Sequence, residues 1–284
     1  MNDGPVWITG AGGLIGNYLV QSANRFAPGI PVAGLTRTHL ELIDFNSVRQ
    51  HYSRQRPRAI IHCAALSRSP EAQANPALAR KLNVEVTALL AELAADTPFF
   101  FFSTDLAFDG RSGNYDEAAP VNPLSVYGET KAEAERIVLA NPNHTVVRTS
   151  LNGGISPRGD RGFNEQLTRA WQTGQTVRLF TDEFRSPIAA EVTAAATWEL
   201  FTLDKPGLYH IAGKDRLSRW QIGQLLVQRW PHLNPRIEPV SSKEYAGAPR
   251  PPDTSLNCAK IQALLSFPLL GLAQWLATRP NDRF

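Results

Sequence analysis

Tyr127 and Lys131, in the run Tyr127-Gly128-Glu129-Thr130-Lys131, are the residues best suited to move a proton. On a helix a spacing of four puts both on one face. A free phenol has a pKa of ~10 and exchanges protons poorly near neutrality. A neighbouring ammonium would favour the phenolate and bring that value toward the working range. The same ammonium could hold a ribose hydroxyl. Far upstream stands Thr9-Gly10-Ala11-Gly12-Gly13-Leu14-Ile15-Gly16. Gly10, Gly13 and Gly16 fall where a strand gives way to a helix, so the backbone can turn sharply and approach a pyrophosphate closely. The helix beginning near Gly13 would aim free N–H groups and its positive dipole end at that phosphate. Following the first strand and opening the first helix distinguishes this run from an ordinary glycine-rich turn. Together the two motifs describe hydride chemistry with a nicotinamide cofactor; a chance surface Tyr–Lys pair and a merely structural turn are the competing readings.

Three further sites belong to the same chemistry. Phe99-Phe100-Phe101-Phe102 ends in Ser103-Thr104-Asp105, at the strand end where open α/β sheets place their active sites. A hydroxyl there can orient a substrate carbonyl, or it can simply cap the turn. Where the second strand ends, NAD binding would call for a carboxylate, yet the chain has Thr36-Arg37. A guanidinium suits a 2′-phosphate, which favours NADP over NAD; a solvated surface arginine is the alternative. Asp44 could accept from an adenine amino group or cap the helix starting near Asn46.

These residues need a scaffold that brings distant segments to one edge. Pro5–Thr9, Pro31–Leu35, Arg58–His62, Phe99–Phe102 and His144–Val147 read as short apolar strands separated by helical stretches. That alternation demands a parallel sheet covered on both faces. The expected fold is therefore α/β, a Rossmann-like doubly wound sheet with a smaller C-terminal substrate-binding lobe. Residues 1–150 would bind the dinucleotide, and residues 151–284 would mainly form the lobe, interleaved with the sheet. One long helical pattern runs from Pro76 to Ala95, and Asn122-Pro123 has the composition of a start for the helix that bears Tyr127. In the second half, Phe163–Trp171, Ala189–Leu203 and Ser218–Trp230 read as helices, with a strand at Gly207–Ile211. Two short helices are expected near Ala259–Leu265 and Gly271–Ala277.

Composition narrows the class. The 284 residues are 43% apolar and 19% charged with a net charge of +3, ordinary for a globular protein and without a basic tract for nucleic acid. No run approaches the ~20 apolar residues of a membrane span, and no secretory leader is evident, so a cytoplasmic protein is expected. Cys63 and Cys258 are too few for a disulfide framework, and the histidines lack metal-ligand spacing, so no metal is expected.

Taken together, the segments TGAGGLIG, Cys63-Ala64-Ala65, Asn83 in LNVEVT, STDLAFDG, NPLSVYGETKAEAE, VVRTS, FRSPIAAE and APRPPDTSLN resemble the extended short-chain dehydrogenase/reductases, and within them the dTDP-4-dehydrorhamnose reductase family. The likeness spans nearly the whole chain. It implies a catalytic triad of Thr104, Tyr127 and Lys131. The cofactor set it implies is Gly10, Gly13, Leu14, Ile15, Gly16, Arg37, Asp44, Phe45, Cys63, Ala64, Ala65, Asn83 and Ser103, together with Tyr127 and Lys131. Hydride would pass from NADPH to a keto carbon of a nucleotide-linked sugar, with Thr104, Asp105, Asn152, Arg185 and Arg250 at the substrate end. Two departures stand out. Leu151-Asn152-Gly153-Gly154 follows Ser150 where the family usually has an aromatic, and Arg185 occupies a position often small or polar. Arg185 and Arg250 each read as a phosphate contact or as a loop arginine. A similar fold serves the regulatory β subunit of methionine adenosyltransferase, so an NADP-binding regulatory subunit is the alternative from another class. A nucleotide-sugar epimerase or dehydratase is the third reading. A homodimer is compatible with all three.

Overall fold

The computed structural model describes residues 3–279; the outer ends of the two expected segments, residues 1–2 and 280–284, lie outside the described residues. The first half supplies β1 (Val6–Thr9), α1 (Leu14–Phe26), β2 (Val32–Leu35), α2 (Phe45–Gln55) and β3 (Ala59–His62). It continues with α3 (Ser69–Ala74), α4 (Pro76–Arg80), α5 (Val86–Leu93), β4 (Phe99–Thr104), α6 (Val126–Leu139) and β5 (Thr145–Thr149). The second half contains β6 (Asn152–Gly153), α7 (Phe163–Gln172), β7 (Thr176–Phe180), β8 (Phe184–Arg185), β9 (Ile188–Ala189) and α8 (Ala190–Leu203). After these come β10 (Gly207–Ile211), β11 (Leu217–Ser218), α9 (Arg219–Arg229), β12 (Arg236–Val240), α10 (Ala259–Gln262) and α11 (Leu272–Thr278).

A six-stranded sheet in the order β10-β5-β4-β3-β1-β2, every pair parallel, forms the centre of this Rossmann-like fold. Both faces are covered, which is why its strands are mostly apolar, with polar residues such as His62, Ser103, Arg148 and His210 buried toward their C-terminal ends. Val6 and Ile8 of β1 point into a core shared with α1 and α8, while Trp7 points the other way, among Ile60, Phe99, Phe101 and Val146 beneath α2, α5 and α6. The chain reverses its direction of travel across the sheet between β1 and β3, the crevice where doubly wound folds bind ligands. Residues past 150 also build the sheet layers: β10 is an edge strand, and α8 packs on α1, with Trp198 Nε1 donating to the Leu19 carbonyl at 3.0 Å. A separate core around Phe163, Trp171, Ile222, Leu226 and Leu272 holds the remainder of the second half, with β7–β12 and β8–β11 as small two-stranded sheets.

Two elements differ from the sequence reading. The pattern over Pro76–Ala95 is not one regular helix, because a π turn at Lys81–Glu85 separates α4 from α5. The helix bearing Tyr127 begins at Val126 rather than at Asn122-Pro123: Ser125 caps it by accepting from the Gly128 N–H at 3.3 Å, and Asn122 instead donates to Asp109 at 3.0 Å. The late start suits Gly128, whose missing Cβ lets the helix press against the Leu106 carbonyl.

Candidate active site

The glycine run forms a tight turn at the C-terminal end of β1. Gly10 has φ +69°, and a Cβ there would lie 2.7 Å from the Ala64 nitrogen. A Cβ on Gly16 would strike the Gly10 carbonyl, so the turn and α1 can only close this tightly without side chains. Gly13 donates to Gly10 at 2.8 Å and opens α1, whose first turn, led by Leu14, Ile15 and Gly16, has no side-chain cap. A narrow backbone cradle ending in uncapped N–H donors fits the pyrophosphate of a dinucleotide.

Beyond β2, Thr36, Thr38 and His39 are joined by hydrogen bonds at 2.8 and 3.1 Å. Arg37 extends 77% exposed beside them, 3.5 Å from Glu41, and its guanidinium is available for a phosphate. Asp44 takes the capping alternative. Its carboxylate accepts from the Ser47 hydroxyl at 2.6 Å and the Ser47 N–H at 3.1 Å, bonds that hold it below the usual carboxylate range, and Phe45 begins α2 directly behind it.

The loop after β3 forms the next wall. Cys63 and Ala64 back Gly10, the Ala64 N–H reaches Thr9 Oγ1 at 3.4 Å, and Ala65 continues toward Leu66. Asn83, in the π turn, is fully buried with its amide engaged by protein. It accepts from Leu66 N at 2.8 Å and donates to Thr130 Oγ1 at 3.0 Å and Leu66 O at 3.4 Å. The residue expected to touch a cofactor thus ties the loop wall to α6.

Thr104, Tyr127 and Lys131 come from β4 and α6. Tyr127 is 9% exposed, and burial pushes its phenol up to about 12 despite hydrogen bonding with Thr104; Asp105 adds to the rise and Arg185 opposes it. Thr104 also accepts from Leu106 N at 3.2 Å, so it caps the turn and faces the phenol at once. Lys131 is 2% exposed, its ammonium 3.8 Å above the Phe101 ring. Burial draws it down to about 7 against the fields of Glu135 and Cys63. The sequence reading, in which the lysine lowers the phenol, is corrected here: burial dominates, Lys131 does not offset it, and the phenol is held protonated.

At the substrate end the named side chains meet one another first. Arg185 clasps Asp105 with two charge-assisted bonds, Nε to Oδ2 at 2.6 Å and Nη2 to Oδ1. Ser150 and Thr254 also donate to Asp105 Oδ2, at 2.6 and 3.3 Å, and Asp105 has no exposed surface. Asn152 donates to Thr149 and accepts from Thr193 at 2.7 Å. Arg250 pairs with Glu183 at 2.8 Å and lies over the Tyr245 ring, while its Nε has no hydrogen-bond partner. Glu183 also binds Arg219 at 2.7 Å. Sequence reasoning passed over Glu183, Arg219, Ser150, Glu135 and Arg148. Only Glu135 carries a local signal, its spacing of four from Lys131; the others converge through tertiary folding. Among the described residues no group of three His, Cys, Asp or Glu could hold a metal, and no helix is long and apolar enough to cross a membrane.

The model of the RmlD substrate binding domain matches residues 4–278. The chain is 27% identical over 271 residues to methionine adenosyltransferase 2 subunit beta of Xenopus laevis, covering 90% of this chain and 81% of that one. It is likewise 27% identical over 270 residues to the dTDP-4-dehydrorhamnose reductase of Sinorhizobium fredii, covering 90% and 89%. A crystal structure of a hypothetical dTDP-4-dehydrorhamnose reductase from Sulfolobus tokodaii superposes with a TM-score of 0.84 at 28% identity, covering 94% of this chain and 97% of that one.

Proposed function

The chain belongs to the RmlD substrate-binding-domain family of extended short-chain dehydrogenase/reductases, and from that membership and its cleft we propose an NADPH-dependent reductase of a nucleotide-sugar ketone. One observation carries the reading. The glycine turn and the Tyr127–Lys131 helix both reach Cys63–Ala64, with Gly10 packed on that backbone and the Lys131 ammonium near enough for its charge to act on Cys63.

When bound at this cleft, a reduced nicotinamide cofactor would supply the hydride; every other part of the reaction falls to this chain's side chains. The Gly10–Gly16 turn binds the pyrophosphate, and Arg37, with Thr36 and Thr38, takes the 2′-phosphate. Thr104 Oγ1 orients the ketone oxygen. Tyr127, kept protonated by burial, gives its proton to that oxygen as negative charge develops. Lys131 holds ribose hydroxyls and, as an ammonium, helps return a proton to the phenol. The half-buried Arg250 side chain and the Tyr245 ring beneath it suit the substrate's phosphate and base end. Asp105, clasped by Arg185, positions this end without touching substrate.

Tyr127→Phe tests the proposal. Turnover of a dTDP-4-keto sugar is expected to fall by about three orders of magnitude or more, in the range of a lost general acid plus its hydrogen bond, with NADPH affinity nearly intact. Full activity in that variant would exclude the mechanism. The likeness to methionine adenosyltransferase 2 subunit beta favours one second reading, a regulatory subunit that binds NADP. A stoichiometric partner enzyme, with no ketone reduced across a nucleotide-sugar panel, would select it.

A further inference from the structure

Tyr127, Lys131 and Glu135 follow one another every fourth residue along α6. Glu135 has no part in the reaction above, yet its carboxylate is almost wholly buried, where a lone ion is costly. Ser103 donates to its Oε1 at 2.5 Å, and Arg148 grips it through Nε at 2.9 Å and Nη2 at 2.7 Å. Ser103 and Arg148 stand opposite each other in the β4–β5 register, so the clamp is built into the sheet edge that carries Thr104. Behind it, Arg148 Nη1 lies 3.4 Å from His210 Nε2. Burial, aided by Arg148, draws that ring down to about 4 and leaves it neutral.

The groups facing Lys131 are mostly neutral as well. From β3, His62 is drawn down to about 3 by burial and by Lys131 itself, and it bonds to Thr9 and Thr87. Burial pushes the Cys63 thiol up, so it holds its proton, as does the Tyr127 phenol on the same helix. From β4, Phe101 offers only the face of its ring. Glu135, one helical turn on, is the carboxylate whose field favours the Lys131 ammonium, acting from beyond ion-pair contact.

We propose that Glu135, clamped by Arg148 and Ser103, is a positioning residue that keeps Lys131 an ammonium inside the cleft wall. The importance of that charge rests on the reductase reading, but the clamp itself can be tested without turnover. In the full chain labelled with 13C-lysine, the Lys131 Cε resonance, identified by its loss in Lys131→Met, is followed against pH. Glu135→Gln is expected to move its titration downward by about one pH unit or more, and Glu135→Asp, which keeps the charge, to restore most of that change. A purely structural Glu135 would lower thermal stability in both variants and leave the titration in place, which overturns the proposal. Should Glu135→Gln fail to fold, adding Arg148→Gln removes both ions together. A smaller downward move is then expected, and an unmoved titration is equally fatal. Tyr127→Phe turnover fails or succeeds independently, so the two readings are separable.

Discussion

Lys131 is a charged residue placed where water cannot reach it, and that has a measurable cost. Burial draws its pKa down to about 7, whereas in the unfolded chain it titrates near ~10.4. Between those values the unfolded state binds the extra proton, so stability rises with pH across that window. Below about pH 7 both states are protonated and the full cost is present. Lys131→Met is therefore expected to be more stable than the parent at neutral and acid pH, on the order of a few kcal/mol, with the advantage fading toward pH 10. Thermal melts from pH 6 to pH 10 check this. A variant less stable at pH 6 would mean the ammonium is compensated more fully than its surroundings indicate. The same variant should reduce no ketone, a conflict between stability and activity confined to one side chain.

At the scale of elements, the π turn at Lys81–Glu85 does what a regular helix could not. The widened turn buries Asn83, whose amide fastens the Leu66 backbone on one side and Thr130 on the other. Asn83→Ala would leave the Leu66 N–H and the Thr130 hydroxyl short of partners, at about 2–3 kcal/mol of stability. NADPH binding should weaken too, because the Cys63–Leu66 wall loses its tie to α6; urea unfolding and a fluorescence titration report the two effects. An unchanged melting curve would remove Asn83 from this role. The π turn was invisible in the sequence, since Pro76–Ala95 is helical in composition throughout and nothing local marks the inserted residue. The glycine turn, the strands and the Tyr127–Lys131 pair were legible because near neighbours signal each, Gly10, Gly13 and Gly16 by their place between strand and helix and Tyr127 and Lys131 by helical spacing, although the packing of Gly10 on Ala64 is known only from the fold. The start of α6 was not, because Ser125 caps no worse than Asn122, and the Asp109 side chain that engages Asn122 is known only from the fold. Nor could the sequence weigh the burial that dominates at the phenol.

Across the whole molecule, one chain of ion pairs joins the sheet to the lobe. Asp105, just past β4, holds Arg185 of β8; Arg185 lies 3.8 Å from Glu183, which also binds Arg219 at the start of α9 and Arg250 of the late loop. Two carboxylates against three guanidiniums leave a net positive charge beside the cleft, which suits a substrate carrying a diphosphate. Burial alone would raise the Glu183 carboxyl, but Arg219, Arg185 and Arg250 pull it down to about 2 from an ordinary 4.5. A lowered carboxyl stabilises the fold above its unfolded pKa and loses that contribution as pH falls through the folded value. The window is therefore pH 4.5 down to about 2, and the stake is roughly 3 kcal/mol. Glu183→Gln should be destabilised at pH 7, where it leaves three buried or half-buried cations crowded together, and should lose part of the parent's sensitivity to acid across that window. Acid-unfolding curves of the two proteins would converge near pH 2; curves that stay parallel would show that Glu183 is not what binds the lobe to the sheet.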